Sequence, residues 1–216
     1  MINEAMIFAA GLGKRMYPLT KDKPKPLIKI KNKSILKKNI EKLIQNNFKN
    51  IIVNAFHYPE QIKNEIKEFS SVKIIIEKDR LETGGGLVNA INENYFDEES
   101  PIILLNGDIF WENKSYNSLE NIKNLWNPDE MDMLLCLKEK EKFFGYDGQG
   151  DFGLINSDRT HSQVSKSQIN PYAYTGLQVT KQEIFKNIKK KYFSIKDKIF
   201  ESLEKQKLFR SKIKNL

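Results

Sequence analysis

Short apolar runs alternate with stretches of helical period along the first half of this chain. Ala5–Ala9, Asn50–Asn54, Val72–Ile76 and Pro101–Asn106 are brief and apolar or β-branched, so each predicts a strand. Between them, Ser34–Gln45, Pro59–Phe69 and Gly85–Asn92 carry helical spacing, the first opened by a serine suited to an N-cap. Such alternation predicts parallel strands joined by right-handed crossovers, an α/β, Rossmann-like open sheet that is mostly parallel and flanked by helices. Ligands bind these sheets beyond the carboxyl ends of the strands. Gly11, Asn106 and Asp108 all fall there, so they are expected to converge.

The second half is less regular. Met131–Leu137 predicts a further strand, followed by a loop from Phe143 to Asp151 that is dense in Gly and Asp. Phe152–Asn156 is expected to form a hairpin with Gln163–Ser165 across an Asp158-Arg159 turn. A strand over Tyr172–Thr180 and helices near Lys181–Lys190 and Ser194–Lys205 complete the reading. With no repeat and no low-complexity linker, residues 1–216 are expected to form one domain, its later part a small β-rich portion.

Composition narrows the function classes. No apolar stretch approaches the ~18 residues of a membrane span, and Met6–Ala10 is too short for a signal-peptide core, so a cytoplasmic protein is expected. The net charge of +8 invites a nucleic-acid reading. However, lysines interleave with glutamates along Lys37–Lys42 and Lys63–Glu68, a pattern of solvated faces, so no nucleic-acid partner is expected. Cys136 is the only cysteine, which excludes an internal disulfide or a cysteine metal cluster, and its apolar neighbours predict a buried, inert thiol.

The candidate chemistry begins where the first apolar run breaks into Ala10-Gly11-Leu12-Gly13-Lys14-Arg15-Met16. Gly11 and Gly13 have no Cβ, so backbone N–H groups there can approach a ligand closely. Arg15, and Lys25 in Pro24-Lys25-Pro26-Leu27, add fixed positive charge suited to polyphosphate oxygens. The loop is neither a P-loop, which needs four residues between its glycines, nor a dinucleotide fingerprint, whose third glycine is replaced by Met16. Further along, Leu104-Leu105-Asn106-Gly107-Asp108 is an apolar strand ending in a carboxylate. One or two such carboxylates with substrate phosphates suffice for Mg²⁺, a hard cation that retains several waters. Glu82-Thr83-Gly84-Gly85-Gly86 opens a helix after a strand, where free N–H groups would suit an oxygen-rich ligand. Gly148-Gln149-Gly150-Asp151-Phe152 places an acid on a glycine-flanked loop, and His57, after an apolar strand, reads as structural; His161 takes no role.

The string Ala9-Ala10-Gly11-Leu12-Gly13-Lys14-Arg15-Met16-Tyr17-Pro18-Leu19-Thr20, with Pro24-Lys25-Pro26-Leu27 behind it, resembles the signature loop of the sugar-1-phosphate nucleotidyltransferases. The resemblance implies that a nucleoside triphosphate meets Ala10, Gly11, Leu12, Gly13, Lys14, Arg15, Lys25, Glu82, Thr83 and Gly84. It implies that Asn106, Asp151, Thr175 and Gly176 meet the sugar 1-phosphate. Arg15, Lys25 and Asp108 would be catalytic, with Asp108 a ligand of the Mg²⁺ cofactor. Glu82-Thr83-Gly84-Gly85-Gly86, Asn106-Gly107-Asp108-Ile109-Phe110-Trp111 and Gly148-Gln149-Gly150-Asp151-Phe152 look most like the group that joins UTP to N-acetylmuramate 1-phosphate in peptidoglycan recycling. GTP with mannose 1-phosphate, dTTP with glucose 1-phosphate, and a nucleotide-binding homologue without turnover stay open as alternatives. Relatives continue into a Trp-x-Asp-x-Gly-Thr segment whose aspartate is a second metal ligand. No such segment follows Phe209, so the resemblance is expected to stop there and activity to be impaired.

Overall fold

A computed structural model describes residues 2–112, 117–143, 146–155, 161–166 and 170–212. Its eleven strands are β1 (Glu4–Phe8), β2 (Lys29–Ile30), β3 (Lys33–Ser34), β4 (Asn50–Ala55), β5 (Val72–Ile76), β6 (Ile102–Asn106), β7 (Met133–Glu139), β8 (Gly153–Ile155), β9 (His161–Ser165), β10 (Tyr172–Thr180) and β11 (Leu208–Lys212). The helices are α1 (Ile35–Gln45), α2 (Pro59–Ile66), α3 (Glu82–Asn92), α4 (Ser118–Leu125) and α5 (Ile195–Glu204). Nine strands form one sheet in the order β5-β4-β1-β6-β10-β7-β11-β9-β8, and β2 pairs with β3 alone. β5, β4, β1 and β6 run parallel. β10 enters antiparallel between β6 and β7.

Helices cover both faces, which is why the central strands read as unbroken apolar runs. On one face Leu36, Ile40 and Leu43 of α1, Ile62 of α2 and Leu119 of α4 pack on Ala5, Ile7, Ile51, Val53, Ile103 and Leu105. On the other, Leu87 of α3 and Ile195 and Ile199 of α5 pack on the alternate positions Met6, Ile52, Ile102 and Leu104. Ser34 caps α1, its hydroxyl accepting from the Lys37 N–H at 3.1 Å.

Several expectations need correction. α3 starts at Glu82 and contains all three glycines. No helix forms over Lys181–Lys190: a short turn at Glu183–Phe185 is followed by Asn187 in the left-handed region, φ 64°. Gln182 donates from Nε2 to the carbonyls of Asp97 and Ser100, so tertiary anchors override a short run of helical spacing. β7 begins two residues later than expected because the Asp132 and Met133 N–H groups both donate to the Lys207 carbonyl. Leu208–Lys212 form a paired strand: β11 lies between β7, parallel to it, and β9, antiparallel. Arg210, 1 % exposed with its guanidinium over the Tyr172 ring, disguised that strand as polar. β8 and β9 form the expected hairpin, and its Asp158-Arg159 turn lies outside the described residues.

Candidate active site

Three loops meet at the carboxyl edge of the parallel strands. After β1, Gly13 adopts φ 65° and its carbonyl accepts from both the Met16 N–H and the buried Thr20 hydroxyl, folding Lys14–Met16 into a single tight turn. Lys14 and Arg15 are exposed and make no ion pair among the described residues. After β6, the Gly107 N–H donates to the Phe8 carbonyl, carrying the chain across β1 and setting Asp108 at the strand edge. Lys25, 83 residues away in sequence, reaches that edge, and its Nζ lies 2.5 Å from Asp108 Oδ2. Both side chains keep about a third of their surface, 29 % and 33 %, so the pair remains accessible to a ligand.

Asp108 Oδ1 takes no hydrogen bond from the described residues. No three His, Cys, Asp or Glu side chains gather among those residues into a metal-holding cluster. A lone carboxylate with a free oxygen suits a hard cation that draws its remaining ligands from phosphates and water, so Mg²⁺ fits Asp108 on these terms.

The loop that carries Asp108 is fastened to α1. Asn39 Nδ2 donates to the Ile109 carbonyl at 3.0 Å, and the Lys42 ammonium donates to the Trp111 carbonyl while lying 4.0 Å from that ring's centre. Burial pushes Lys42 down to about 8. Neither anchor was legible from the sequence motifs.

β10 reaches the same edge from the other side. Its pairing with β7 shifts register between Tyr174 and Gln178, and within that shift Thr175 Oγ1 donates to the Cys136 carbonyl at 2.9 Å. Gly176 adopts φ 86°, and a Cβ there would stand 2.8 Å from Asn106 Nδ2 and 2.7 Å from Ile109 Cγ2. A glycine is therefore required for β10 to approach Asn106. Asp151 sits one loop further out, and its Oδ2 accepts from the Tyr174 N–H at 2.9 Å.

Beside the first loop, a cavity of about 260 Å³ is lined by Phe8, Ala10, Gly11, Asn54, Arg80, Glu82, Thr83 and Ser194. It brings together residues that the sequence motifs assigned from two distant segments. Glu82 holds φ 61°, an uncommon conformation for a non-glycine residue, and its Oε1 accepts from Tyr192 Oη at 2.8 Å and Arg80 at 3.2 Å. The glycines behind it do not present free N–H groups. Those of Gly84 and Gly85 donate to the Phe193 carbonyl, and the Phe193 ring lies where a Gly84 Cβ would go. Gly84 thus serves close packing, and Glu82 and Thr83 alone of that trio face the cavity. A larger cavity, about 1050 Å³, lies at the opposite end of the sheet between Ile2, Pro101, Trp126 and Lys181, away from all of these motifs. His57 Nε2 is buried without a hydrogen-bond partner among the described residues, its ring 4.1 Å from that of Tyr58.

The sequence profile of the nucleotidyl transferase family matches residues 4–214. The chain belongs to that family. The match passes Phe209 and takes in β11, which corrects the expectation that the resemblance stops there. Among relatives, this nucleotidyl transferase is 28 % identical over 187 residues to the N-acetylmuramate alpha-1-phosphate uridylyltransferase of Caulobacter vibrioides, covering 83 % of this chain and 76 % of that one. Profile and relative together place it among the sugar-1-phosphate nucleotidyltransferases. UDP-glucose pyrophosphorylase complexed with UDP-glucose superposes with a TM-score of 0.76 at 16 % identity, over 99 % of this chain and 91 % of that one. A putative glucose-1-phosphate thymidylyltransferase from Bacillus anthracis gives 0.76 at 17 % identity, over 99 % and 87 %. Both share the α/β fold. No helix among the described residues is long and apolar enough to cross a membrane.

Proposed function

We propose that residues 1–216 act as one cytoplasmic domain that transfers uridylyl from UTP to N-acetylmuramate 1-phosphate, giving UDP-N-acetylmuramate and pyrophosphate for peptidoglycan recycling. The Lys25–Asp108 pair carries this reading: it joins the signature loop to the β6 carboxylate at one accessible edge, 2.5 Å apart. The Caulobacter relative supports the choice of sugar and nucleotide.

The chemistry needs no nucleophilic side chain. A sugar 1-phosphate is mostly dianionic at neutral pH, its second pKa being about 6. One of its oxygens forms a bond to the α-phosphorus of UTP, and the bond from that phosphorus to the β-phosphate bridging oxygen breaks, so pyrophosphate leaves with the electron pair. The protein holds the two polyanions in line and compensates charge on the transferring group. Arg15 and Lys14 stand free to meet the β- and γ-phosphates, and the N–H groups of Gly11–Gly13 approach them. Lys25 meets the α-phosphate and the sugar phosphate. Asn106, Thr175, Gly176 and Asp151 contact the sugar, while Glu82 and Thr83 border the base. Asp108 holds Mg²⁺, which when bound neutralises polyphosphate charge.

Pyrophosphate release from UTP and N-acetylmuramate 1-phosphate with Mg²⁺ tests the reading, with GTP plus mannose 1-phosphate and dTTP plus glucose 1-phosphate alongside. Turnover with the first pair at least tenfold above the others is the expected result. Preference for another pair would reassign the substrates, and silence with all three, in protein that still binds UTP, would leave nucleotide binding without transfer.

A further inference from the structure

Beneath the 260 Å³ cavity lies a polar bridge in an otherwise apolar layer. Asn54, near the end of β4 and 2 % exposed, accepts at Oδ1 from the Ala9 N–H (2.9 Å) and donates from Nδ2 to Glu77 Oε1 (2.7 Å). Glu77, 5 % exposed just past β5, accepts at Oε2 from the Leu81 N–H (3.3 Å), and its own N–H donates to the Ala55 carbonyl. Ala9 leads into the glycine turn and Leu81 leads into Glu82, so one continuous line of hydrogen bonds runs from one loop to the other.

Glu77 has no cationic partner among the described residues. Burial raises its pKa, while the hydrogen bonds from Asn54 and Leu81 oppose that rise. A buried carboxylate compensated only by neutral donors is a poor choice for stability, since an apolar residue of similar volume would avoid the desolvation cost. Its value lies in the pattern of donors and acceptors. An ionised carboxylate only accepts, so it forces the Asn54 amide to present Nδ2 to it and Oδ1 to Ala9, and it accepts Leu81 with its other oxygen. α3 leaves room for this arrangement: a Cβ on Gly86 would stand 2.8 Å from both Asn54 Nδ2 and Glu77 Oε1.

We propose that Asn54 and Glu77 are positioning residues for the nucleotide half of the site, holding the Ala9–Gly13 turn and the Leu81–Thr83 segment at one fixed separation before substrate arrives. The idea rests on the nucleotide-transfer reading above only for what the two loops bind. Both loops are set in place by a shared side-chain bridge, so loosening either residue loosens both.

Glu77→Gln replaces one acceptor with an NH₂ group that would face the Leu81 N–H. Gly86→Ala pushes into the bridge while improving intrinsic helix propensity, so weakened binding in that variant does not come from a loss of helix propensity in α3. In ligand-free protein, amide hydrogen exchange should quicken at least tenfold in both Ala9–Gly13 and Leu81–Thr83 in each variant. Quickening confined to Leu81–Thr83 would overturn the proposal, whatever the enzyme's substrates. In turnover assays the nucleotide KM should rise about tenfold with the sugar-phosphate KM within twofold, and Glu77→Asp should recover part of the loss. Equal rises in both KM values, or a fall in melting temperature alone, would also overturn it. If wild-type protein turns over no substrate pair, the transfer reading fails on its own and the exchange measurement still decides this one.

Discussion

The parallel half of the sheet, β5-β4-β1-β6, and the mixed half, β10-β7-β11-β9-β8, build their edges by different means. In the parallel half the functional loops follow directly from strand ends, and short local strings specify them: Gly11-Leu12-Gly13 after β1, Asn106-Gly107-Asp108 after β6. In the mixed half the same edge depends on contacts between segments far apart in sequence. Thr175 leans on the Cys136 carbonyl, Gly176 on Asn106, and Asp151 on the Tyr174 backbone. A motif in the first half is announced by its own short string, although partners such as Asn39 and Asn54 hold it in place, whereas one in the second half is defined by its partners.

The strongest way to break this division is at the seam. Lys25→Ala should lower kcat on the order of 10²-fold or more, as loss of a charged contact to a developing transition state does. The partly exposed pair itself adds at most about 1 kcal/mol to stability, so melting should barely move. Turnover near wild type would remove Lys25 from the chemistry. Gly176→Ala tests the mixed half where it meets β6: strain at φ 86° and the clash with Asn106 should cost about 1–3 kcal/mol. The sugar-phosphate KM should rise several-fold ahead of the nucleotide KM, and the reverse order would undo the division of labour.

Lys42 offers a subtler probe, because it supports the loop that carries Asp108 from behind. Its folded pKa of about 8 lies below that of the unfolded chain, so the folded protein binds fewer protons between about pH 8 and the ordinary lysine value. Stability should therefore climb as pH rises through that window, by at most about 3 kcal/mol. Lys42→Met should abolish the climb in denaturation curves at pH 7, 8.5 and 10, and identical pH profiles would contradict the burial. The smallest effect belongs to Cys136, fully buried with its thiol pushed up to about 12. Iodoacetamide at pH 8 should leave the native protein unlabelled by mass and unaltered in rate.

The same contrast explains what was legible in the sequence. The parallel strands and α1 with its Ser34 cap stood in strings whose local physics is nearly sufficient, while Lys25 and Asp108 were singled out by the family resemblance of their strings. α3 was read three residues late because its glycines looked like a loop, when they answer the Phe193 segment more than a hundred residues on. β11 was hidden by Arg210, whose burial over Tyr172 no periodicity reveals. Asn54 and Glu77 stood at strand ends in plain view, and an amide and a carboxylate at the ends of adjacent apolar runs were the available signal.

The place of β10 also bears on the order in which the molecule assembles. Every neighbour of β1, β4, β5 and β6 except β10 lies within the first 106 residues to be synthesised, so that quartet can zip early. β7 waits for partners at residues 172–180 and 208–212, leaving the apolar run Met133–Leu137 unpaired in the interim. Long-range pairing of this kind is slow and leaves a strand edge exposed to aggregation. During refolding, pulse-labelled hydrogen exchange should protect β1, β4 and β6 before β7 and β11; simultaneous protection would refute a staged assembly. The strand that completes the sheet is thus also its timekeeper.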